Sequence, residues 1–463
     1  MEAAVIERLK EIAGAGNVLS SDVDLTLYGY DAYLLLKKPE VVVLPGSTQE
    51  VSAIMKLAHD KGIPVTARGA GSSLTGGPVP LKGGIVLHFS RMNQLVEIDV
   101  ANRVARVQPG IITLDLQNAV AKKGLQYAPD PASQKTSTIG GNLGENAGGP
   151  HCLKYGVTTN HIIGLTMVAH DGEIIEVGGR CQDLPGLDLC GVLVGSEGTL
   201  GIVTEITLRL IAQPEAVKTL LAIFNSIEDA SNTVSAIIAE GIIPATLEMM
   251  DNTVIQAVED SLAAGYPRDA AAVLIIELDG LKDGMERLAE QIVAICQRHN
   301  VREVKAAKDN AERMKLWAGR KGAFGAISRL RPSYLVCDGT VPRTQLPATL
   351  KKVMELAEQH KLRVGNVFHA GDGNLHPLIL FDVRDPEELE RVEKLGSAIL
   401  KLCVDMGGTI SGEHGIGLEK LKEMSFIFSA ADIEFMRGIK RAFDPHDLVN
   451  PGKVLPEPAA AAA

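Results

Sequence analysis

Apolar residues at Val5, Leu9 and Ile12 follow the three- and four-residue spacing of one helix face, so the chain is expected to open with an amphipathic helix. A polar stretch rich in Asp and Tyr follows to residue 38, and from Pro39 the rhythm changes. Val41 to Leu44 is a short apolar strand, Ser47-Thr-Gln-Glu50 is a capping box opening a helix to about Lys61, and Ile63 to Ala67 is a second strand. Ile202, Ile206, Leu208 and Leu210 mark the buried face of an alternating strand. In the second half, strands at Leu220 to Phe224, Ala245 to Met250, Ala272 to Leu278 and Tyr334 to Asp338 alternate with helices rich in Glu and Lys. That pattern suggests an α+β layer covering one face of a sheet. Arg363 to Phe381 reads as two strands around Asp372-Gly373, a strong short hairpin signal.

With 463 residues, 46% of them hydrophobic, the chain can bury a large core in two to three domains. The changes of rhythm divide it into an N-terminal helical segment (1–38), a first domain (39–215), a cap (216–405) and a segment returning to the first domain (406–457). The low-complexity alanine tail, 458–463, is set aside. A net charge of -11 argues against nucleic acid as a partner. No apolar run approaches the roughly 18 to 20 residues needed to span a bilayer, and the N-terminus lacks the basic start of a signal peptide. A cytoplasmic protein is expected, not transmembrane, with peripheral membrane association through a partner left open. Six cysteines lie scattered without Cys-x-x-Cys spacing, which reads as reduced thiols and gives the chain no iron-sulfur motif of its own.

Two segments about forty residues apart concentrate the chemistry: His369-Ala-Gly-Asp-Gly-Asn-Leu-His376 and Ser411-Gly-Glu413-His414-Gly415. A two-residue turn at Asp372-Gly373 makes 369 the direct cross-strand partner of 376, with Cβ atoms roughly 4.5 to 5.5 Å apart. Two imidazoles on one face could then grip one divalent ion at about 2.0 to 2.1 Å, with Glu413 as third ligand and His414 as a base beside it. Zinc suits such a set, with manganese or iron as alternatives. In the bland reading these are polar residues of two glycine-rich loops, and Asn374 merely completes the turn. Only eleven histidines occur in the chain, however, and chance grouping would not also supply the hairpin. His414 as ligand, with Glu413 orienting it, remains a second arrangement.

The first half carries three glycine-rich segments. The strand ending at Ala67 delivers the chain into Arg68-Gly69-Ala70-Gly71-Ser72-Ser73-Leu-Thr-Gly76-Gly77, which lets backbone N–H groups approach an anion closely, a pyrophosphate in particular. It matches neither the dinucleotide fingerprint nor the Walker pattern. The second segment runs from Pro129 and Asp130 through Ser133, Thr138, Gly140, Gly141 and Asn142 to Asn146 and Gly148. The third, Gly195-Ser-Glu197-Gly198-Thr-Leu-Gly201, leads into the strand that begins at Ile202.

These three segments resemble the FAD-binding segments of flavoproteins of the vanillyl-alcohol oxidase type. The resemblance implies a two-part FAD-binding domain over 39–215, an α+β cap with an antiparallel sheet, the first segment on the pyrophosphate, and the other two along the flavin and adenosine. Some members attach the flavin to a histidine of the first loop; Ser72 stands at that position, which implies non-covalent FAD. Leu316-Trp-Ala-Gly-Arg320-Lys-Gly-Ala-Phe324, the two histidine segments and Asn450-Pro-Gly-Lys453 resemble the FAD-linked D-2-hydroxyacid dehydrogenases, nearest the flavin subunits of bacterial glycolate oxidases and the D-lactate dehydrogenases. In related enzymes His369, His376 and Glu413 would hold the metal, His414 would be the base, Arg320 would bind the substrate carboxylate and Asn450 would lie near the flavin.

The chemistry is consistent with those roles. Oxidising a 2-hydroxy acid requires loss of a hydroxyl proton and hydride transfer to flavin N5. A Lewis-acid ion acidifies the hydroxyl, an imidazole takes the proton, and a guanidinium matches the carboxylate. Judged alone, Arg320 fits a solvated surface charge as well, with Lys321 as the alternative. Where hydroxyglutarate dehydrogenases place polar groups for a distal carboxylate, the counterparts are Val336 and Leu378, which favours glycolate or D-lactate. Electrons are expected to pass to an iron-sulfur subunit or an electron-transferring flavoprotein, with direct reaction with oxygen or a quinone left open. The rivals are a metal hydrolase or non-haem iron oxygenase, which leave the glycine segments unexplained, and a non-enzymatic flavin-binding subunit.

Overall fold

The chain forms two compact units, one from Met1–Gly148, Gly156–Gln213 and Glu413–Ala463, the other from Gly149–Tyr155 and Pro214–Gly412. The computed structural model describes residues 1–33, 35–181 and 186–457, so the alanine tail lies outside the described residues.

In the first unit, α1 (Ala3–Ala13) buries Val5, Leu9 and Ala13 on the face its spacing predicts. The first 38 residues are more than helical: β1 (Val18–Leu19) pairs antiparallel with β2 (Val41–Val43). Ser47 caps α2 (Thr48–Lys61) by accepting from the Glu50 N–H at 3.2 Å, while the Glu50 carboxylate accepts from Gly46 rather than closing the box on Ser47. Gly62, at φ 63°, ends that helix in the left-handed conformation that glycine adopts without strain. β3 (Val65–Arg68) and β2 flank β4 (Ile85–His88) in parallel, and Val41, Val42 and Val43 are fully buried, as strands covered on both faces require.

A second sheet is antiparallel, in the order β5 (Leu95–Asp99), β6 (Val104–Val107), β9 (Ile202–Arg209), β7 (Ile162–Val168), β8 (Ile174–Gly178). Burial alternates strictly along β9, with Ile202, Thr204, Ile206 and Leu208 inward. The short helix α3 (Ile139–Glu145) packs Ile139 and Leu143 into the core of the second sheet, and the C-terminal segment returns to β3 through the Val65–Val449 bridge.

The second unit is built on one antiparallel sheet, in the order β13 (Glu303–Ala306), β10 (Ala216–Phe224), β12 (Ala272–Gly280), β11 (Thr246–Asp251), β16 (Arg363–His369), β17 (Asn374–Leu375), β15 (Gly339–Thr340). β18 (Pro377–Phe381) joins β16 to β14 (Ser333–Val336). Apolar side chains leave both sheet faces and pack under helices on each side, so the central strands read as nearly continuous apolar runs.

The hairpin differs from its expected register. His369 pairs with Asn374, and Asn366 with Pro377, so the connection is four residues, 370–373, and His376 is not the direct partner of His369. The longer loop is held by tertiary bonds that the local pattern does not contain: Val341 N–H donates to Gly373 O at 2.9 Å, Gly371 N–H to Leu247 O at 3.1 Å, and Arg343 Nη1 to Gly371 O at 3.1 Å. A slip of two residues preserves the face, because side chains alternate with period two. The two imidazoles still meet, edge to face, with ring centroids 5.1 Å apart.

Candidate active site

The three glycine segments converge within the first unit. A Cβ on Gly69 would stand 2.4 Å from Thr138 Oγ1, so the first two segments touch backbone to side chain with no room for a larger residue, and one on Gly140 would stand 2.5 Å from Pro109 Cβ. Thr138 Oγ1 also accepts from Gly141 N–H at 3.2 Å. The third segment docks on α3: Gly195 N–H donates to Leu143 O and Glu197 N–H to Gly144 O. Some residues of these segments serve the fold itself. Asn142 Nδ2 donates to Thr113 Oγ1 at 2.8 Å, Asn146 Oδ1 accepts from Thr159 N–H at 2.9 Å, Ser133 O accepts from Thr136 and Ser137, and Gly201 packs on Met167. Pro129, Asp130 and Gly148 are buried; Ser72 and Ser73 are half-buried on the first loop, Gly198 is left-handed at φ 66°, and Ile202 is a core residue.

The donor set fits a phosphate-bearing cofactor. Arg68 is buried, its Nη1 meets no hydrogen-bond partner among the described residues, and burial lowers its pKa against the pull of Asp31. A buried guanidinium edge left unsatisfied is costly, and a pyrophosphate beside Gly69, Ala70 and Gly71 would complete it.

Behind the loop lies a network that sequence patterning missed. Glu145, half-buried, and Glu197, buried, lie together; desolvation, then the Glu197 charge, pushes the Glu145 carboxyl well above its usual range, and burial raises Glu197 too. Glu197 holds a left-handed φ of 52° and accepts from the N–H groups of Ile416 (2.7 Å) and Gly417 (3.1 Å). Asn450 Nδ2 donates to Gly77 O and Glu197 O, and Lys453 Nζ, its pKa pulled down to about 8 by burial, donates to Gly77 O and Val79 O. The segment carrying His414 is docked on the glycine loop: Leu418 N–H donates to Thr75 O at 2.7 Å, and Thr75 Oγ1 lies 3.4 Å from His414 O. Nε2 of His414 is 3.9 Å from Glu413 Oε1.

The second unit holds the other half of the predicted residues. His369 Nδ1 is 2.7 Å from Glu248 Oε1, and Glu248 Oε2 takes Arg320 Nε at 2.7 Å and Nη2 at 2.6 Å. All three are buried, at 7%, 1% and 2% exposure, so Arg320 is no solvated surface charge. Burial would raise the Glu248 pKa, but His369 and Arg320 outweigh it and hold the carboxylate below its usual range. Lys321 instead extends over the Trp317 ring, 5.9 Å from its centroid. His376 Nε2 lies 3.6 Å from Asp338 Oδ1; Asp338 is fully buried and its Oδ2 accepts from Ser411 Oγ and Gly412 N–H. Glu413 is the next residue in the chain and belongs to the first unit.

Ligating nitrogens of His369 and His376 lie within 4.8 Å of each other. A carboxylate on the Nδ1 side of a ligating imidazole is the usual way its Nε2 is directed at a metal, so the pair fits a divalent ion. Sequence patterning missed Glu248 and Asp338. Glu248, a lone carboxylate inside the apolar run Ala245 to Met250, carried the signal, since a charge buried in a strand is almost never unpaired. Val336 and Leu378 are direct cross-strand partners, both buried and apolar. The six cysteines form no disulfide among the described residues, and no helix among them is long and apolar enough to cross a membrane.

Comparison with known proteins places this geometry. Residues 39–178 match the FAD binding domain family, and residues 213–454 match the C-terminal domain of FAD linked oxidases. The glycolate oxidase subunit GlcD of Escherichia coli (strain K12) is 46% identical over 98% of this chain and 91% of its own. A D-lactate dehydrogenase of Anaerostipes hadrus is 33% identical over 97% of each chain. The crystal structure of p-cresol methylhydroxylase superposes with a TM-score of 0.82 at 15% identity, over 98% of this chain and 96% of the other, a likeness of fold.

Proposed function

The chain belongs to the FAD-linked oxidases, and on that footing we propose that it oxidises a small 2-hydroxy acid, glycolate or D-lactate, to the 2-oxo acid. The observation that carries the reading is the buried relay His369–Glu248–Arg320, which holds an imidazole and a guanidinium in fixed orientation around one carboxylate.

Bound FAD supplies the acceptor for the hydride that leaves the substrate carbon. His369 and His376, with Glu413 as the proposed third ligand, would hold a divalent ion of the zinc class, which would supply Lewis acidity to the substrate hydroxyl. Glu248 fixes the His369 tautomer with its proton on Nδ1, leaving Nε2 to ligate. Arg320 spends its Nε–Nη2 edge on Glu248 and keeps Nη1 for the substrate carboxylate. His414 takes the hydroxyl proton, its backbone anchored through the segment docked on Thr75. Asn450 and Lys453 brace the glycine loop through Gly77. The apolar pair Val336 and Leu378 offers nothing to a distal carboxylate, which supports a small acid. Ser72 supports non-covalent attachment of the flavin, and electrons then pass to an iron-sulfur subunit or an electron-transferring flavoprotein. A metal hydrolase or oxygenase would leave the three glycine segments without a role, and family membership speaks against it.

The test is anaerobic absorbance of the purified protein before and after glycolate, D-lactate, L-lactate or D-2-hydroxyglutarate. Bleaching of the flavin band by glycolate or D-lactate, and release of the flavin on denaturation, is the expected result. Bleaching by D-2-hydroxyglutarate alone would overturn the substrate assignment, and an intact band with all four would overturn the reaction.

A further inference from the structure

Three histidines far apart in sequence meet on the first unit, away from the glycine loops. His59 lies near the end of α2, His170 in the turn between β7 and β8, and His446 in the loop after the helix Ala430–Phe443. Ring centroids are 5.3 Å apart for His59–His170, 5.3 Å for His59–His446 and 6.1 Å for His170–His446. Three imidazoles sharing one tetrahedral ion at about 2.0 to 2.1 Å would place their centroids about 5 Å apart, so the two His59 pairs stand close to that spacing and the His170–His446 pair would have to close by about 1 Å.

Their backbones are well fixed. Ser52 Oγ in α2 donates to Gly172 O in the β7–β8 turn at 2.5 Å, and Gly172 packs so closely on α2 that a Cβ there would stand 2.4 Å from Lys56 Cγ. The loop bearing His446 is tied by Asp444, which accepts from the N–H groups of Leu448 and Val449, and by Val65 N–H donating to Leu448 O in the next strand. Nδ1 of His59 and Nδ1 of His170 are buried and meet no hydrogen-bond partner among the described residues, a cost that a bound cation would remove. Asp171 follows His170 directly in the chain, and its carboxylate is anchored by accepting from the Glu173 N–H at 3.0 Å. The rings meet edge to face or tilted, and χ2, which is soft for histidine, is the torsion through which a nitrogen of each would turn to share an ion.

We propose that His59, His170 and His446 form a structural site for a divalent transition-metal ion of the zinc class, distinct from the active-site ligands, with Asp171 as the neighbouring carboxylate. Imidazole suits zinc, nickel and copper and discriminates against magnesium and calcium. The ion clasps the C-terminal segment to α2, and that segment carries Asn450 and Lys453 to Gly77.

The experiment uses the flavin-loaded protein, stripped with chelator and dialysed against graded Zn2+, in the His369→Ala/His376→Ala background so that active-site binding does not count. One equivalent of zinc is expected, lost on adding His446→Gln, whose side chain is exposed in the fold. Zinc should raise the melting temperature by about 2 °C or more in the background protein, by mass action, and magnesium should not. Should the background fold poorly, Co2+ absorbance of the otherwise unaltered protein with and without His446→Gln reads the same site. Equal zinc stoichiometry and equal thermal shift in the presence of His446→Gln, or unchanged Co2+ absorbance, would overturn the proposal and leave the trio as aromatic packing.

Discussion

Nδ1 of His369 and Oε1 of Glu248 stand 2.7 Å apart across two neighbouring strands, on residues that are direct register partners and both buried. The Glu248 carboxylate faces Arg320 with its second oxygen, so one anion orders two functional side chains.

Glu248→Gln keeps the volume and removes the charge that both partners face. A buried Arg320 left without its anion is expected to cost about 3–5 kcal/mol, visible as a lower melting temperature. Metal affinity should fall about 10- to 100-fold, read from metal content at graded free Zn2+. Undiminished affinity would show that His369 does not depend on Glu248 for ligation.

His414→Gln should retain FAD and bind metal normally while slowing anaerobic flavin reduction by at least about a hundredfold, the scale of losing a general base. The His369→Ala/His376→Ala pair should instead lose active-site metal together with turnover. Normal turnover by that double variant would remove the ion from the reaction.

Asp251 provides a pH test. Burial raises its pKa to about 6, although it accepts from Val254 N–H and from Asn366 N–H and Nδ2. The folded state therefore holds this proton more tightly than the unfolded chain, and the stability contributed by Asp251 falls as pH rises from about 4 to about 6. Asp251→Asn cannot titrate and sets an amide against two donors, so it should be less stable than wild type at about pH 4. The gap should narrow by about 3 kcal/mol by neutral pH. A gap constant across that window would place the Asp251 pKa near its ordinary value.

Gly69→Ala would drive a methyl group into Thr138 Oγ1. Lower FAD occupancy after purification is expected, with the rest of the fold retained, and the double variant Gly69→Ala/Thr138→Ala should recover part of it by removing the obstructing hydroxyl. Full occupancy in Gly69→Ala alone would mean the loop can shift without cost.

The parts legible in the sequence were local in origin. Val5 and Leu9 declared the face of α1, Ser47 declared the start of α2, and Ile202, Ile206 and Leu208 declared the inner face of β9, because helix and strand periods repeat within a few residues. The hairpin was visible in Asp372-Gly373, but its register was not: Val341, Leu247 and Arg343 hold a four-residue loop from outside the hairpin. Period-two alternation protected the functional conclusion from that error, since His369 and His376 kept one face.

By itself the sequence determined the glycine segments, the alternation of strands and the identity of the histidines, all encoded in short-range spacing and residue chemistry. Only the tertiary structure decided that Glu248, 121 residues before His369, would be its hydrogen-bond partner, that Glu145 and Glu197 would lie together, and that His59, His170 and His446 would meet. Strand order and packing bring such groups together, and in a low-dielectric interior the cost of an unpaired charge selects the partner.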